Sequence, residues 1–320
     1  MVNKGRIENR EISLKAFLVQ RLRENPGAFF SGQRLAAEPG VSRTAVWKAV
    51  RTLEASGYPI EGNDKGYAWM GEDGDFLYPW EFGKNEKLFH HWFSTDSTMN
   101  RAAELADRGC PGGSIVSAEK QTAGRGRNGR KWESGKGGLF FTLLERPSLT
   151  ASEYYRAAMA AQIASSKTLT KICGKPCFLR WPNDVYGAGR KLAGILTEFR
   201  ADGDRVKWMS LGIGINVNNR PGGESAVSCA ELSGRIISRR EVLLGVLEEW
   251  SGLQKAGYGG LEKHWNALSD SIGRQAVAES GIKGVFLGAD PLGRALLKTD
   301  GGGILSFWPG AISFIIKNQL

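Results

Sequence analysis

Between residues 121 and 132 the chain reads Gln-Thr-Ala-Gly-Arg-Gly-Arg-Asn-Gly-Arg-Lys-Trp, glycines alternating with cations up to an aromatic ring. Glycine lets backbone N–H groups approach a ligand closely. Arginine's planar guanidinium forks onto phosphate or carboxylate, and each such charged hydrogen bond contributes about 1.5–3 kcal/mol. Arg125, Gly126, Arg127, Arg130 and Lys131 therefore predict a loop that orders over an anionic ligand, with Trp132 offering a flat face to a base. A basic surface loop touching nucleic acid is the plainer alternative. The stretch also matches the dinucleotide spacing Gly124-x-Gly126-x-x-Gly129, but that reading needs a helix to begin inside it. Here the chain continues Lys-Trp-Glu-Ser-Gly-Lys-Gly-Gly, which cannot sustain one.

A second group is Arg180-Trp-Pro-Asn-Asp184, followed by Lys191-Leu-Ala-Gly194. Pro182 and Asn183 predict a turn that presents Asn183 and Asp184 at a strand end, with Lys191 on the next strand in reach of the same site. Gly212-Ile-Gly-Ile-Asn216 reads as a glycine-bearing strand on which a ligand can lie against backbone. Other chemistries find little support. There is no Gly-x-Ser-x-Gly elbow, no P-loop, and no zinc spacing among the three histidines.

These groups need a scaffold, and the chain supplies one. At 320 residues it is long enough for two or three domains, and 41% hydrophobic with 24% charged residues is globular composition. Forty-three Lys and Arg against 33 Asp and Glu give a net charge of +10, which favours an anionic partner. The four cysteines form no C-x-x-C pair and read as reduced thiols. Residues 1–13 are polar and charged, and no apolar run reaches the roughly 20 residues of a membrane span, so the expectation is a soluble, cytoplasmic protein. Between 88 and 270, apolar runs at 114–118, 139–144 and 206–214 mix with helical patterns at 99–107, 152–170 and 240–255, predicting an α/β or α+β domain. Five short β-like runs after 271, at 274–279, 282–288, 293–298, 303–308 and 311–316, predict a small barrel.

The first 69 residues read as three helices capped by Ser13, Ser31 and Ser42, then a hairpin turning at Gly62-Asn63-Asp64. In the third helix Val46, Val50 and Leu53 share one face, while Arg43, Thr44, Trp47, Lys48 and Arg51 lie elsewhere on it. Helix, helix-turn-helix and hairpin, with eleven Lys/Arg against seven Asp/Glu in residues 1–66, predict a winged helix for a DNA groove, with Lys65 on the wing. A helical domain for protein contacts is the alternative. Residues 70–87, acidic, aromatic and turn-rich, read as a connector.

Asp96-Ser-Thr-Met-Asn100, the run from Gln121 to Trp132, Arg180 to Asp184, Lys191 to Gly194 and Gly212 to Asn216 together resemble the bifunctional biotin–protein ligases that double as biotin-operon repressors. That resemblance implies an α+β multidomain protein. Its parts would be a winged helix-turn-helix (1–69), a connector (70–87), a mixed-sheet, class II synthetase-like catalytic domain (88–270) and an SH3-like β-barrel (271–320). It implies biotin and MgATP as substrates, a biotinyl-5′-adenylate intermediate, and transfer to a lysine of the biotin carboxyl carrier domain of a carboxylase. It further implies operator DNA as a partner and a homodimer when the adenylate is bound. Ser97, Thr98, Met99, Gln121, Arg125, Gly126, Arg127, Lys191 and Gly194 would hold biotin, and Arg130, Trp132, Asn183 and Asn216 the nucleotide. Arg127, Lys191 and Asp184 would act in catalysis. The sequence departs from the family at Arg180, where lysine is usual, at Met99, where asparagine is common, and at Ile315, where an arginine can stand. The competing readings are a ligand-sensing winged-helix transcription factor without turnover and a relative that handles lipoate or octanoate.

Overall fold

Serine caps start the first three helices: α1 (Leu14–Arg23), α2 (Gly32–Ala37) and α3 (Arg43–Ala55). The Ser13, Ser31 and Ser42 hydroxyls accept from the N–H groups of Ala16, Arg34 and Ala45 at 3.2, 3.2 and 3.1 Å, each satisfying a donor the helix leaves open. The computed structural model describes residues 12–309 and 311–314. It divides into two compact units, Met1–His91 and Trp92–Leu320.

In the first unit Val46, Val50 and Leu53 are buried with Phe17, Leu18 and Leu22 of α1. The hairpin follows as β1 (Ile60–Asn63) and β2 (Gly66–Trp69). Asn63 pairs with Gly66, so the turn is Asp64-Lys65, one residue later than the sequence signals indicated. Asn63 has been drawn into the ladder, and its side chain accepts from the Lys65 N–H at 2.8 Å.

The segment expected to be a connector is a wall of this unit. Phe76 stacks on Tyr58 at 4.1 Å, Tyr78 on Trp80 at 4.8 Å, and Leu77 and Phe82 are buried. Arg23 forks onto the Glu81 carboxylate at 2.9 and 2.8 Å, and the Tyr58 hydroxyl donates to it at 2.6 Å. Burial beside that carboxylate raises the Tyr58 pKa. The segment lacks helical or strand periodicity because it packs by aromatic stacking through short 3₁₀ turns, Pro79–Leu88.

The second unit begins with β3 (Phe89–Thr95) crossing the boundary, then α4 (Thr98–Asp107), β4 (Ser114–Gln121), β5 (Leu139–Glu145) and α5 (Tyr154–Cys173). Next come β6 (Cys177–Arg180), β7 (Asp184–Gly187), β8 (Arg190–Asp202), β9 (Arg205–Ile215), α6 (Cys229–Ser233), α7 (Arg239–Lys255) and α8 (Leu261–Ala267). Seven strands form one sheet in the order β3-β4-β5-β9-β8-β7-β6. The ladders from β4 to β6 are antiparallel, and parallel bridges at Leu179–Ser269 and Lys191–Ala226 make the pairing mixed. Every residue of β5 is buried. Alanines 157, 158, 160, 161 and 164 of α5 are buried too, and their small size lets α5 pack closely on the sheet and on α7.

The last strands are β10 (Gln275–Ala278), β11 (Lys283–Ala289), β12 (Ala295–Thr299), β13 (Ile304–Phe307) and β14 (Ile312–Phe314). They form an antiparallel sheet in the order β13-β12-β11-β10-β14 and belong to the second unit. All five expected strands are present. Among the described residues β13 and β14 stand at the two edges of this sheet. Ile315 lies outside the described residues. Among those described, no helix is long and apolar enough to cross a membrane.

Candidate functional site

Strand ends and the glycine loop converge on one cavity of about 1760 Å³ in the second unit. The start of α4 supplies Ser97, Thr98 and Met99. The end of β4 supplies Gln121, and the β4–β5 loop supplies residues 125–128 and 130–132. The β6–β7 turn contributes Asn183 and Asp184, while β8 contributes Lys191 and Gly194. Asn216 is the exception. It lies off this wall, buried, with its side-chain oxygen accepting from Asn219 at 2.9 Å. A glycine-rich strand pointed to the right surface, but its last residue turns inward.

One polar cluster sits at the head of α4. Gln121 Oε1 accepts from both the Thr98 N–H, at 2.9 Å, and the Thr98 hydroxyl, at 3.1 Å, while its amide donates to Ser134 at 3.0 Å. The Thr142 hydroxyl donates to Thr98 at 2.9 Å. Beside it, Asn100 donates to Asp96 at 2.6 Å, which heads the contacts that hold the Asp96 carboxyl well below the usual carboxylate range. Arg101 closes on the same carboxylate at 3.0 Å.

A second cluster carries charge. Lys191 Nζ lies 2.7 Å from Asp184 and 5.5 Å from the centre of the Trp132 ring. The indole lies across two paired strand glycines, Gly194 and Gly214. A Cβ at Gly214 would come within 2.5 Å of the ring, and one at Gly194 within 2.9 Å. Met99 likewise fills the space over Gly212, where a Cβ would meet its sulfur at 2.5 Å. The strand surface the sequence offered to a ligand thus seats Trp132 and Met99. The buried indole N–H meets no acceptor.

Arg125 and Arg127 differ in their settings. Arg125 pairs with Glu198 at 2.9 Å, and its backbone bridges Lys131. Among the described residues no ion pair holds Arg127, which lines the cavity wall near Tyr154 and Tyr155, Tyr155 donating to the Pro182 carbonyl. Arg180, the departure from the usual lysine, forks onto Asp270 at 2.6 and 3.3 Å and lies 3.6 Å over the Tyr186 ring.

Among the lining residues that went unread in the sequence are the charged groups Asp270, Arg274 and Lys283. Among the described lining residues, the loop cations Arg125, Arg127, Arg130 and Lys131 and the wall cations Arg180, Lys191, Arg274 and Lys283 make eight, against two carboxylates, Asp184 and Asp270. Such a surplus in a half-enclosed site calls for a polyanion.

In the first unit, Arg43, Thr44, Trp47 and Arg51 of α3 line a concavity of about 800 Å³ with wing residues 62–67, including Lys65. Trp47 is 49% exposed, an apolar ring placed outward on a basic helix. Arg51 stacks over it at 6.0 Å and pairs with Glu54 at 2.9 Å. Lys48 is exposed on the same helix but outside that wall.

Residues 93–216 match the biotin/lipoate A/B protein ligase family, and residues 15–68 a helix-turn-helix domain. The chain is 33% identical over 311 residues to the bifunctional ligase/repressor BirA of Bacillus subtilis, covering 91% of this chain and 95% of that protein. It belongs to that ligase/repressor family. A biotin–[acetyl-CoA-carboxylase] ligase of Paracoccus denitrificans is 32% identical over 65% of this chain and 93% of its own length. The biotin protein ligase of Aquifex aeolicus, solved in complex with biotin and ATP, superposes with a TM-score of 0.60 at 31% identity, covering 71% of this chain and 98% of that one. Family membership therefore joins the two halves of the chain: a helix-turn-helix unit and a ligase unit of known fold.

Proposed function

We propose that the second unit joins biotin to ATP, releasing pyrophosphate, and then passes the biotinyl group to a lysine of a biotin carboxyl carrier domain. The observation that carries this reading is one cavity gathering the Gly–Arg loop, the Asn183–Asp184 turn and Lys191 beside the half-buried Thr98–Gln121 cluster. In the first step a biotin carboxylate oxygen bonds to the α-phosphorus, and the bond to the β-phosphate breaks with its electron pair on pyrophosphate. Ser97, Thr98, Met99 and Gln121 would take the ureido ring, and Lys191 the carboxylate or α-phosphate. Arg125, Gly126, Arg127 and Arg130 would close over the adenylate, with Trp132 against the adenine and Asn183 and Asp184 orienting nucleotide or incoming lysine. Both lining carboxylates already pair with cations, Asp184 with Lys191 and Asp270 with Arg180, so magnesium would enter with the nucleotide as MgATP. An acyl-adenylate hydrolyses in water, and a loop that orders over it keeps solvent out. In the second step the lysine amine attacks the acyl carbon and AMP leaves. Label transfer from biotin, with ATP, to an acceptor domain tests this. No transfer to a competent acceptor would leave a ligand sensor in its place.

The first unit would bind operator DNA through α3 and the wing. One winged helix of modest charge binds weakly, with non-specific dissociation constants of about 10⁻⁴–10⁻⁶ M. A two-fold dimer would set two such helices about 34–36 Å apart on an inverted repeat. Ordering of the loop by the adenylate would lower the entropy cost of dimerisation, so ligand and dimer would favour each other. Such a regulator works in the cytoplasm. Sedimentation and operator binding with and without biotin plus ATP test this, and equal DNA affinity in both would refute it.

A further inference from the structure

The cavity is larger and more cationic than an acyl-adenylate requires. Pockets for drug-sized ligands run to roughly 300–1,000 Å³, against about 1760 Å³ here. Biotinyl-adenylate carries one phosphate charge, and the Gly–Arg loop with Lys191 already exceeds it. The remaining surplus lies where the segment from Asp270 into β11 closes the cavity.

There a single carboxylate organises two guanidiniums. Arg180 reaches Asp270 at 2.6 Å, and Arg274 reaches the same oxygen at 3.1 Å. Arg274 is held a second time, its Nε donating to the Asp270 carbonyl at 2.8 Å, and the Ser271 hydroxyl also donates to the carboxylate at 3.2 Å. Arg274 is thus fixed at its base, yet its side chain keeps 45% exposure at the cavity wall. On the adjoining hairpin Val277 pairs with Lys283 and Gln275 with Val285, so Gln275 and Lys283 share one face of the pleat. Both are exposed and line the cavity, while Ala276, Ala278 and Phe286 on the other face are buried.

We propose that Arg274, aimed by Asp270, and Lys283 hold the β- and γ-phosphates of the nucleotide and then the departing pyrophosphate. The assignment rests on the ligase reading above. As the bond between the α-phosphorus and the bridging oxygen breaks, negative charge builds on the leaving group, and a pre-positioned cation there stabilises the transition state. The adenylate left behind has no β- or γ-phosphate, so these residues act in the first half-reaction alone.

The test is Arg274→Gln in the full-length enzyme. One charge-assisted hydrogen bond is roughly a ten- to hundredfold effect on affinity, and a half-exposed arginine falls at the lower end. The KM for MgATP should rise about tenfold, and inhibition by inorganic pyrophosphate should weaken by a similar factor. Arg274→Lys should recover part of both, and Lys283→Met should show the same pattern more weakly. Biotin affinity without nucleotide, and transfer started from synthetic biotinyl-5′-adenylate, are the internal references. Unchanged ATP and pyrophosphate behaviour in Arg274→Gln overturns the proposal. Equal losses in both half-reactions also overturn it, because they mark Arg274 as a structural prop. A wild-type chain that releases no pyrophosphate from biotin and ATP overturns the ligase reading itself, a result the variants cannot mimic.

Discussion

Gly214→Ala is the smallest change that asks whether the seat of Trp132 matters to chemistry. Gly214 lies inside β9, opposite Gly194, and the new Cβ would stand 2.5, 2.7 and 2.9 Å from three atoms of the indole. Ordinary contact begins near 3.4 Å, so the ring must retreat by about 1 Å. The backbone has no objection to alanine, since Gly214 is not among the positive-φ glycines. Replacing glycine there also restrains the unfolded chain by about 0.4–1 kcal/mol, which offsets part of the clash. The loop cannot shift freely to absorb the movement, because the Trp132 N–H is bonded to the Gly124 carbonyl at 2.9 Å. Displacing a group by about 1 Å at a reacting centre can lower a rate about a hundredfold. We therefore expect pyrophosphate release from biotin and ATP to fall by one to two orders of magnitude, roughly, with the melting temperature little changed. Stopped-flow release and thermal melts read the two quantities. Combining the change with Trp132→Ala should add almost nothing to the loss from Trp132→Ala alone, since both act through one contact. A single variant that keeps its rate to within about twofold would refute the reasoning.

Lys191→Ala should abolish most adenylation while leaving the fold intact, because the lysine is partly exposed and pairs with Asp184 rather than packing in the core. A normal rate of pyrophosphate release with a lowered melting temperature would mark Lys191 as structural. Arg127→Gly should shorten the half-life of retained adenylate by roughly ten- to hundredfold in a filtration assay, and an unchanged half-life would remove Arg127 from the loop's grip. Asp96→Asn tests pH linkage. A carboxyl whose folded pKa is lowered stabilises the fold above its ordinary pKa, and loses that contribution as pH falls through the folded value. The variant should therefore be less stable than wild type at neutral pH, with the difference shrinking in acid. A constant difference across the range would show that Asp96 acts through packing.

Local signals were legible where one residue decides one structural choice. Ser13, Ser31 and Ser42 announced their helices because a hydroxyl at a helix start has few other uses. The five C-terminal strands were readable because Gly, Asp and Pro turns bound each run. The loop and the Asn183–Asp184 turn were singled out from composition alone, and the structure brings both to one cavity wall. Other features depend on partners far apart in the chain. Arg180 finds Asp270 ninety positions away, and Arg125 finds Glu198 seventy-three away. Nothing in the spacing of either arginine foretells which is tied down. Likewise Gly212 and Gly214 read as room for a ligand, and only the three-dimensional structure shows Met99 and Trp132 seated there. The 70–87 segment misled for a different reason, because stacking rings follow no helical or strand period.

That segment bears on how such a chain could be cut and rejoined. Glu81, its side chain only 1% exposed, is clasped by Arg23 and capped by Tyr58, and Lys15 lies 3.8 Å over the Trp80 ring. A chimaera that exchanged the DNA reader at residue 69 would strip those partners from Glu81 and from the aromatic stack, leaving a buried carboxylate without its counter-ion. The natural seam lies after Leu88, before β3 enters the seven-stranded sheet. A transplanted reader should carry residues 70–88 with it, as a cassette rather than a tether.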